Sequence, residues 1–216
     1  MVDHLVLMSG HPSAATSLPR LVPVLGDAGA ARLQRRLLEH AAQVARAWRD
    51  TRPQRQVTVA CQGAAAGEFR SWLGDDLDYE GDSGGSPGAR MAVASVRAFS
   101  RGADRVVLMG VKCPDLDTVH LESAFFALDH MDCVIGPGHA GRYYLIGLVA
   151  PASAVFAGIP WGTGAVLGRT LAAAREQELR IGLLPTLPML HGPGDLIHGA
   201  HLISEPVTRR AISAQN

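Results

Sequence analysis

Among the 20 basic residues of this 216-residue chain, Lys112 alone is a lysine; all the others are arginines. It stands in Gly110-Val111-Lys112-Cys113-Pro114-Asp115-Leu116, directly after the apolar run Val106 to Met109. An ammonium at such a place has three uses. It can be a solvated surface charge. It can be a fixed cation that stabilises a diphosphate leaving group. Stripped of water, it can be a nucleophile or a Schiff-base amine. Nothing nearby in the sequence argues for the desolvation that the third use requires. Arg20 and Arg142 add guanidinium groups, which pair bidentately with phosphate or carboxylate and which serve equally well in surface ion pairs.

His11, His139 and His191 fall in three separate loops. With Cys113 or Asp195 they could offer nitrogen, sulfur and oxygen to zinc or another transition metal. The set is scattered rather than gathered in a compact motif, so ordinary loop histidines are the simpler account. The same holds for His198 and His201. Tyr143 and Tyr144 alternate along a strand, sending one ring into the core and the other toward a helix layer or a cleft. Trp161 reads first as a packing residue and only second as a platform for a base. Thr163 reads as a helix cap, aiming a helix N-terminus at the cleft. The run Gly81-Asp82-Ser83-Gly84-Gly85-Ser86-Pro87-Gly88 contains neither GxxxxGKS/T nor GxGxxG, so it reads as a linker rather than a phosphate cradle.

The elements that must position these residues alternate. Short apolar runs at 4–8, 57–61, 106–109, 133–135, 142–149 and 181–184 have the length and composition of buried strands. Between them, Ala30, Leu33, Leu37, Ala41, Val44 and Trp48 recur at helical spacing in a helix opened by Gly26-Asp27. Further helices are expected at 67–73, from Ala89 to Phe99, after Asp117 or Thr118, at 164–177, and in a short turn begun by Pro193. In an open sheet of this kind the ligand lies outside the carboxyl ends of the strands, which puts the Lys112 loop at a site.

Composition narrows the field. Twenty acidic residues balance the twenty basic ones, and nothing recommends a nucleic-acid or anionic-membrane partner. Cys61, Cys113 and Cys133 are odd in number and show no CxxC spacing. The start lacks a basic n-region and long apolar h-region, and no apolar stretch is long enough to span a bilayer. A cytoplasmic protein with free thiols is expected. One domain over residues 1–203 is expected, followed by a polar tail over 204–216.

Three stretches together resemble a known family: the Lys112 loop, then Gly136-Pro137-Gly138-His139-Ala140-Gly141-Arg142-Tyr143-Tyr144-Leu145-Ile146-Gly147-Leu148, then Trp161-Gly162-Thr163. They are similar, in order and spacing, to the G-x-D-C-P-D-L, G-P-x-x-D-G-G-Y-Y-L-I-G and W-G-T of the bacterial DUF2064 family. That family consists of GT-A-fold proteins provisionally regarded as nucleotide-diphospho-sugar transferases. The resemblance runs from about Leu5 to Leu196. It implies a three-layer α/β/α GT-A-like fold with a mostly parallel central sheet, and a nucleotide-sugar or other phosphorylated small molecule as the partner.

The departures are chemical. The family's first loop, F-A-R-x-P-x-x-G-x-x-K-T-R-L, aligns with Met8 to Leu21 and keeps Pro12, Arg20 and Leu21. Its arginine has become Gly10, its glycine Ala15, its lysine Leu18 and its threonine Pro19. Lys112 stands at the metal-binding aspartate, Ala140 at the aspartate of D-G-G-Y, and Arg142 at that motif's second glycine. Of the C-terminal D-V-D-T-P-E-D-L only Pro193, Asp195 and Leu196 remain. Mg²⁺ or Mn²⁺ needs hard anionic oxygens, which a lysine cannot supply. The apolar positions are intact, so the changes fall selectively on the site.

The resulting expectation is a divergent transferase-type protein that does not use Mg²⁺ or Mn²⁺, with no cofactor and no metal ligands. Lys112, His139 and His191 are its candidate catalytic residues. Arg20, Cys113, Arg142, Tyr143, Trp161, Thr163 and Asp195 are its candidate ligand-binding residues. The competing expectations are a non-catalytic binding relative and an active site repurposed around Lys112, His139 and His191.

Overall fold

A computed structural model describes residues 1–12, 18–81, 83–199 and 202. His201 and the tail expected over 204–216 lie outside the described residues. Seven strands form one sheet: β1 (Asp3–Gly10), β2 (Arg55–Gln62), β3 (Asp78–Glu80), β4 (Arg105–Gly110), β5 (Cys133–Gly138), β6 (Arg142–Leu148) and β7 (Ile181–Leu183). Their order is β3-β2-β1-β4-β6-β5-β7. β6 runs antiparallel to β4 and β5, and every other pairing is parallel. The central strands are buried on both faces, which is why they read as unbroken apolar runs rather than alternating ones.

Helices cover both faces. α1 (Val22–Arg49), α2 (Ala66–Leu73) and α4 (Thr118–Ala127) bury Leu38, Trp48, Phe69, Leu121 and Phe125 against one face. Across this layer Trp48 stacks on Phe125 with centroids 4.6 Å apart. α3 (Pro87–Ser100) and α5 (Val166–Glu176) cover the other face with Ala94, Ala98 and Ala174, joined by Val155 and Phe156. This is the expected three-layer architecture. No helix among the described residues is long and apolar enough to cross a membrane.

The sequence reading needs adjustment at four places. α1 begins at Val22, ahead of the expected start, but Gly26 breaks it at φ 66 and ψ 167. The regular body therefore starts where Gly26-Asp27 predicts, because only glycine enters that backbone region without strain. β3 was not foreseen: Asp-Tyr-Glu is three residues long and lacks an apolar run, and it is held at the sheet edge by pairing with β2. Gly136-Pro137-Gly138 continues β5 instead of ending it, with a register shift at Gly136/Pro137. Residues Ser153–Phe156 form an additional 3-10 turn.

At the beginnings of β1, β2 and β4 two arginines lock the sheet to α4. Arg105 forks onto the Asp3 carboxylate at 2.7 and 3.0 Å and also donates to Asp129 and the Phe125 carbonyl. Arg55 forks onto Glu122 at 2.6 and 2.7 Å and lies over the Trp48 ring. A third small core of Leu18, Leu21, Ala30, Leu33, Leu37, Leu190 and Leu196 clamps the end of the first loop to α1 and to the C-terminal segment. Leu18, standing where the family carries lysine, is thus a packing residue.

Candidate anion-binding cleft

The connection after β1 leads to β2 on one side, whereas β4 lies on its other side, so the chain direction of the sheet switches between β1 and β4. In sheets of this topology ligands bind beyond the carboxyl ends of the strands at such a switch point. Lys112 sits two residues past the end of β4, and its carbonyl accepts the Leu190 N–H at 2.8 Å. The Pro137 carbonyl accepts the Leu187 N–H at 3.0 Å. These two bonds draw the segment before His191 across the ends of β4 and β5.

Arg142 reaches the same place because β6 is reversed: its first residue lies where its neighbours finish. The guanidinium donates to His191 Nε2 at 2.7 Å and to the Ala140 carbonyl at 3.4 Å. A guanidinium has no acceptor, so His191 Nε2 must accept, and the neutral imidazole carries its proton on Nδ1. Asp195 Oδ2 accepts the backbone N–H groups of His191 and Gly192 at 3.0 and 2.8 Å. That carboxylate therefore shapes the loop that presents His191. Lys112, Ala140 and His191, expected around one cleft, are joined here through Arg142 and the Lys112 carbonyl.

Charge at the cleft is uncompensated. Burial lowers the pKa of Lys112, and the nearby Arg142 lowers it further. Arg142 is lowered by burial and then by Arg20, with Asp195 opposing. His191 is lowered by burial, then by Arg142, Arg20 and Lys112, again with only Asp195 opposing. Among the described residues no ion pair or hydrogen bond engages the Lys112 ammonium, and no carboxylate pairs with Arg20 or Arg142. Arg142 and His191 thus have one carboxylate nearby, Asp195, whose Oδ2 is already occupied by backbone amides. Such a site favours an anion with several oxygens, as phosphates have.

The donor set does not fit a hard divalent ion. Among the described residues no three His, Cys, Asp or Glu side chains converge as metal ligands would. Lys112 places an ammonium, and Ala140 a methyl group, at the two positions where the resemblance led us to expect carboxylates.

The remaining candidates scatter. His139 is exposed in the 3-10 turn His139–Gly141, its ring edge-on to His198 at 6.2 Å rather than joined to Lys112. His11 packs edge-on against Phe69 at 5.2 Å and Trp72 at 5.9 Å, toward α2. Cys113 is buried in the core with its thiol pushed up to about 12 by desolvation. Tyr143 turns toward α3, near Met91 and edge-on to Trp161, while Tyr144 is buried with its hydroxyl donating to the Pro185 carbonyl. Trp161 packs so closely on Gly88 that a Cβ there would come within 2.7 Å of its Nε1. Thr163 Oγ1 accepts the Ala165 N–H at 3.2 Å and donates to the Pro160 carbonyl, which shapes the turn ahead of α5; the helix itself is capped by Ala165 without a side-chain bond, so Thr163 is not the cap expected. Gly141 touches Gly164 just before that helix, tying the His139–Gly141 turn to it.

One feature escaped sequence reasoning. Beyond the ends of β1, β2 and β3, beneath α3, lies a cavity of about 140 Å³ lined by Met8, Cys61, Glu80, Pro87, Met91 and Ala94 among others. Glu80 forms ion pairs with Arg97 and Arg101 there. The glycine-rich run read as a linker borders this cavity, and Ser86 Oγ caps α3 by accepting the Ala89 N–H at 3.2 Å. A three-residue edge strand gave no periodic signal that could have placed Glu80.

Comparison with known proteins agrees with this fold. Residues 43–163 match the profile of DUF2064, described as an uncharacterized protein conserved in bacteria. No curated protein sequence matches the chain. A protein of Desulfovibrio desulfuricans G20, named provisionally a nucleotide-diphospho-sugar transferase, superposes with a TM-score of 0.80 at 29% identity, over 97% of this chain and 91% of that one. The 4-diphosphocytidyl-2C-methyl-D-erythritol synthase of Anaerococcus prevotii superposes with a TM-score of 0.61 at 8% identity, over 93% and 96%. Rv0371c of Mycobacterium tuberculosis, solved in complex with manganese, gives 0.53 at 16% identity, over 91% and 96%.

Proposed function

The chain belongs to the DUF2064 family, and from that premise we propose that it is a transferase-type protein that binds a phosphate-bearing ligand without a divalent ion. The observation that carries this reading is the uncompensated cluster of Lys112, Arg142 and Arg20 around His191. Structural neighbours of this fold are nucleotide-diphospho-sugar transferase-like proteins and nucleotidyltransferases. In our reading a nucleoside occupies the cavity beneath α3 and its phosphates cross the end of β1 into the cation cleft. There Lys112 acts as a compact point charge, and Arg142 and Arg20 as bidentate donors, on the oxygens that gain charge when a diphosphate leaves. Asp195 holds the His191 loop, and His191 orients the Arg142 guanidinium through Nε2. His139, next to this loop, remains a candidate for the acceptor side. Residues 1–203 act as one functional unit in this proposal.

Thermal unfolding with a panel of nucleoside diphosphates and diphospho-sugars tests the reading. A ligand at about 100 times its dissociation constant stabilises the folded chain by about 2.7 kcal/mol. The same stabilisation is expected in EDTA and in Mg²⁺ or Mn²⁺. Stabilisation that appears only with the metal would overturn the reading.

A further inference from the structure

The cavity beneath α3 has a polar wall as well as an apolar one. Met8, Met91 and Ala94 build the apolar side, and the volume of about 140 Å³ is that of cavities that admit a flat aromatic ring. On the polar side stands Glu80, whose side chain is only 12% exposed. It faces this way because strand residues alternate: the preceding Tyr79 turns to the opposite face, where its hydroxyl donates to the Gly74 carbonyl. Arg97 Nη1 lies 3.4 Å from Glu80 Oε2 and also lines the cavity, while Arg101 pairs with Oε1. A carboxylate has about four lone-pair sites, and these two arginines take two of them. Among the described residues no other donor engages this carboxylate, so its remaining sites are open to a ligand that donates.

We propose that Glu80 and Arg97 make this cavity selective for a guanine base. The inference rests on the reading that a nucleoside occupies the cavity, and it names the nucleoside. Along one edge guanine offers, in a row, the O6 acceptor, the N1–H donor and the N2–H donor. The cavity wall offers the complementary row, an Arg97 donor followed by the two Glu80 oxygens. Two adjacent donors on a carboxylate make a charge-assisted pair with a fixed geometry, which a single donor does not. Adenine and cytosine each present one amino group beside a ring-nitrogen acceptor, and a carboxylate repels that acceptor. Uracil presents its single N–H between two carbonyl oxygens and is repelled likewise. Selection thus comes from rejection as much as from attraction, because a polar atom left unpaired in a cavity with apolar walls is costly.

Calorimetry of the full chain with nucleoside diphosphates tests this, run both in EDTA and in Mg²⁺ so that base selection is read apart from metal use. Guanosine diphosphate should bind about tenfold or more tighter than the adenosine, cytidine and uridine compounds. Inosine diphosphate, which keeps O6 and N1–H but lacks the N2 amino group, should fall between. In Glu80→Gln one acceptor becomes a donor, so the guanine preference should shrink by about tenfold while the adenosine and cytidine compounds hold or gain. The comparison of guanosine with inosine diphosphate needs no variant, and it decides the matter if Glu80→Gln folds poorly. A preference for another base, or a guanine preference undiminished in folded Glu80→Gln, would overturn the proposal. Equal affinities that all exceed that of inorganic pyrophosphate would also overturn it and leave the nucleoside reading standing. Affinities no better than that of pyrophosphate would remove both.

Discussion

Where β1, β2 and β4 begin, Arg55 and Arg105 are almost completely buried, and each grips a carboxylate with both arms of its guanidinium. Where β1 and β4 end, Arg20, Lys112 and Arg142 have no carboxylate partner among the described residues. The two ends of the same sheet therefore use positive charge for different purposes. Each of these cations is matched by a carboxylate, Asp3 buried and Glu122 partly exposed, and so holds structure. Cations gathered without counterions cost stability in the free protein, and they persist where something else is to supply the charge.

The sharpest way to break this comparison is Arg105→Met. It strands the Asp3 carboxylate, only 6% exposed, and should destabilise the fold by about 3–5 kcal/mol in denaturant titration. Anion affinity of the protein that stays folded should be unchanged. A loss below about 1 kcal/mol would mean that the closed end is not structural in this sense.

Lys112→Met is the counterpart at the open end. Stability should hold or rise slightly, because an unpartnered half-buried charge is removed. Affinity for a diphosphate should fall by about 1–4 kcal/mol, the Coulomb range for a charge about 4 Å away at effective dielectrics of 80 to 20. Calorimetry at two salt concentrations should also show a flatter salt dependence in the variant. Equal affinities would show that the lysine does not touch the ligand.

A smaller effect concerns pH. The folded-state pKa of His191 lies below its ordinary value of 6.5. Between the two values the unfolded chain binds more protons than the folded one, so stability is fully present above about 6.5 and declines as pH falls toward the folded value. His191→Gln should remove this part of the pH dependence, and a bound anion should reduce it by making protonation easier. A variant with the same pH slope as the parent would contradict the placement of His191 among cations.

The smallest effect lies outside both ends. Arg180 holds the partly exposed Asp132 carboxylate at a pKa of about 2 through two side-chain hydrogen bonds and one from its backbone N–H. Arg180→Gln should raise that pKa toward the ordinary carboxylate range, as followed by NMR, with no resolvable change in melting temperature.

The strands and the long helix were legible because burial on both faces leaves unbroken apolar runs and amphipathic packing leaves a helical period. Lys112 and Arg142 were legible as chemistry because each replaces a family residue of a different kind. What could not be read was direction and depth. Reversal of β6 leaves no mark in Tyr-Tyr-Leu-Ile-Gly-Leu, yet it brings Arg142 to the cleft. Cys113 stands beside Lys112 in sequence and points the other way, into the core. Leu18 and Trp161 look like altered or stacking residues of a site, and their contacts show them packing. The long-range partners of the Lys112 loop, Leu190 on its carbonyl and Arg142 beside it, lie about 80 and 30 positions downstream and leave no trace in its sequence neighbourhood.

The reversed strand also bears on the order in which the cleft is assembled. Gly138 and Arg142 pair across a three-residue turn, whereas Asp3 and Arg105 must meet across 102 positions. Loop-closure entropy grows with the logarithm of that separation, so the β5–β6 hairpin is the least costly contact in the sheet to form first. β4 can then dock beside the reversed strand over a span of a few dozen residues, bringing Lys112 to Arg142 before β1 has joined. Arg20, carried on the loop that follows β1, arrives last. Substitutions in the hairpin should consequently slow folding, and those around Arg20 should mainly speed unfolding.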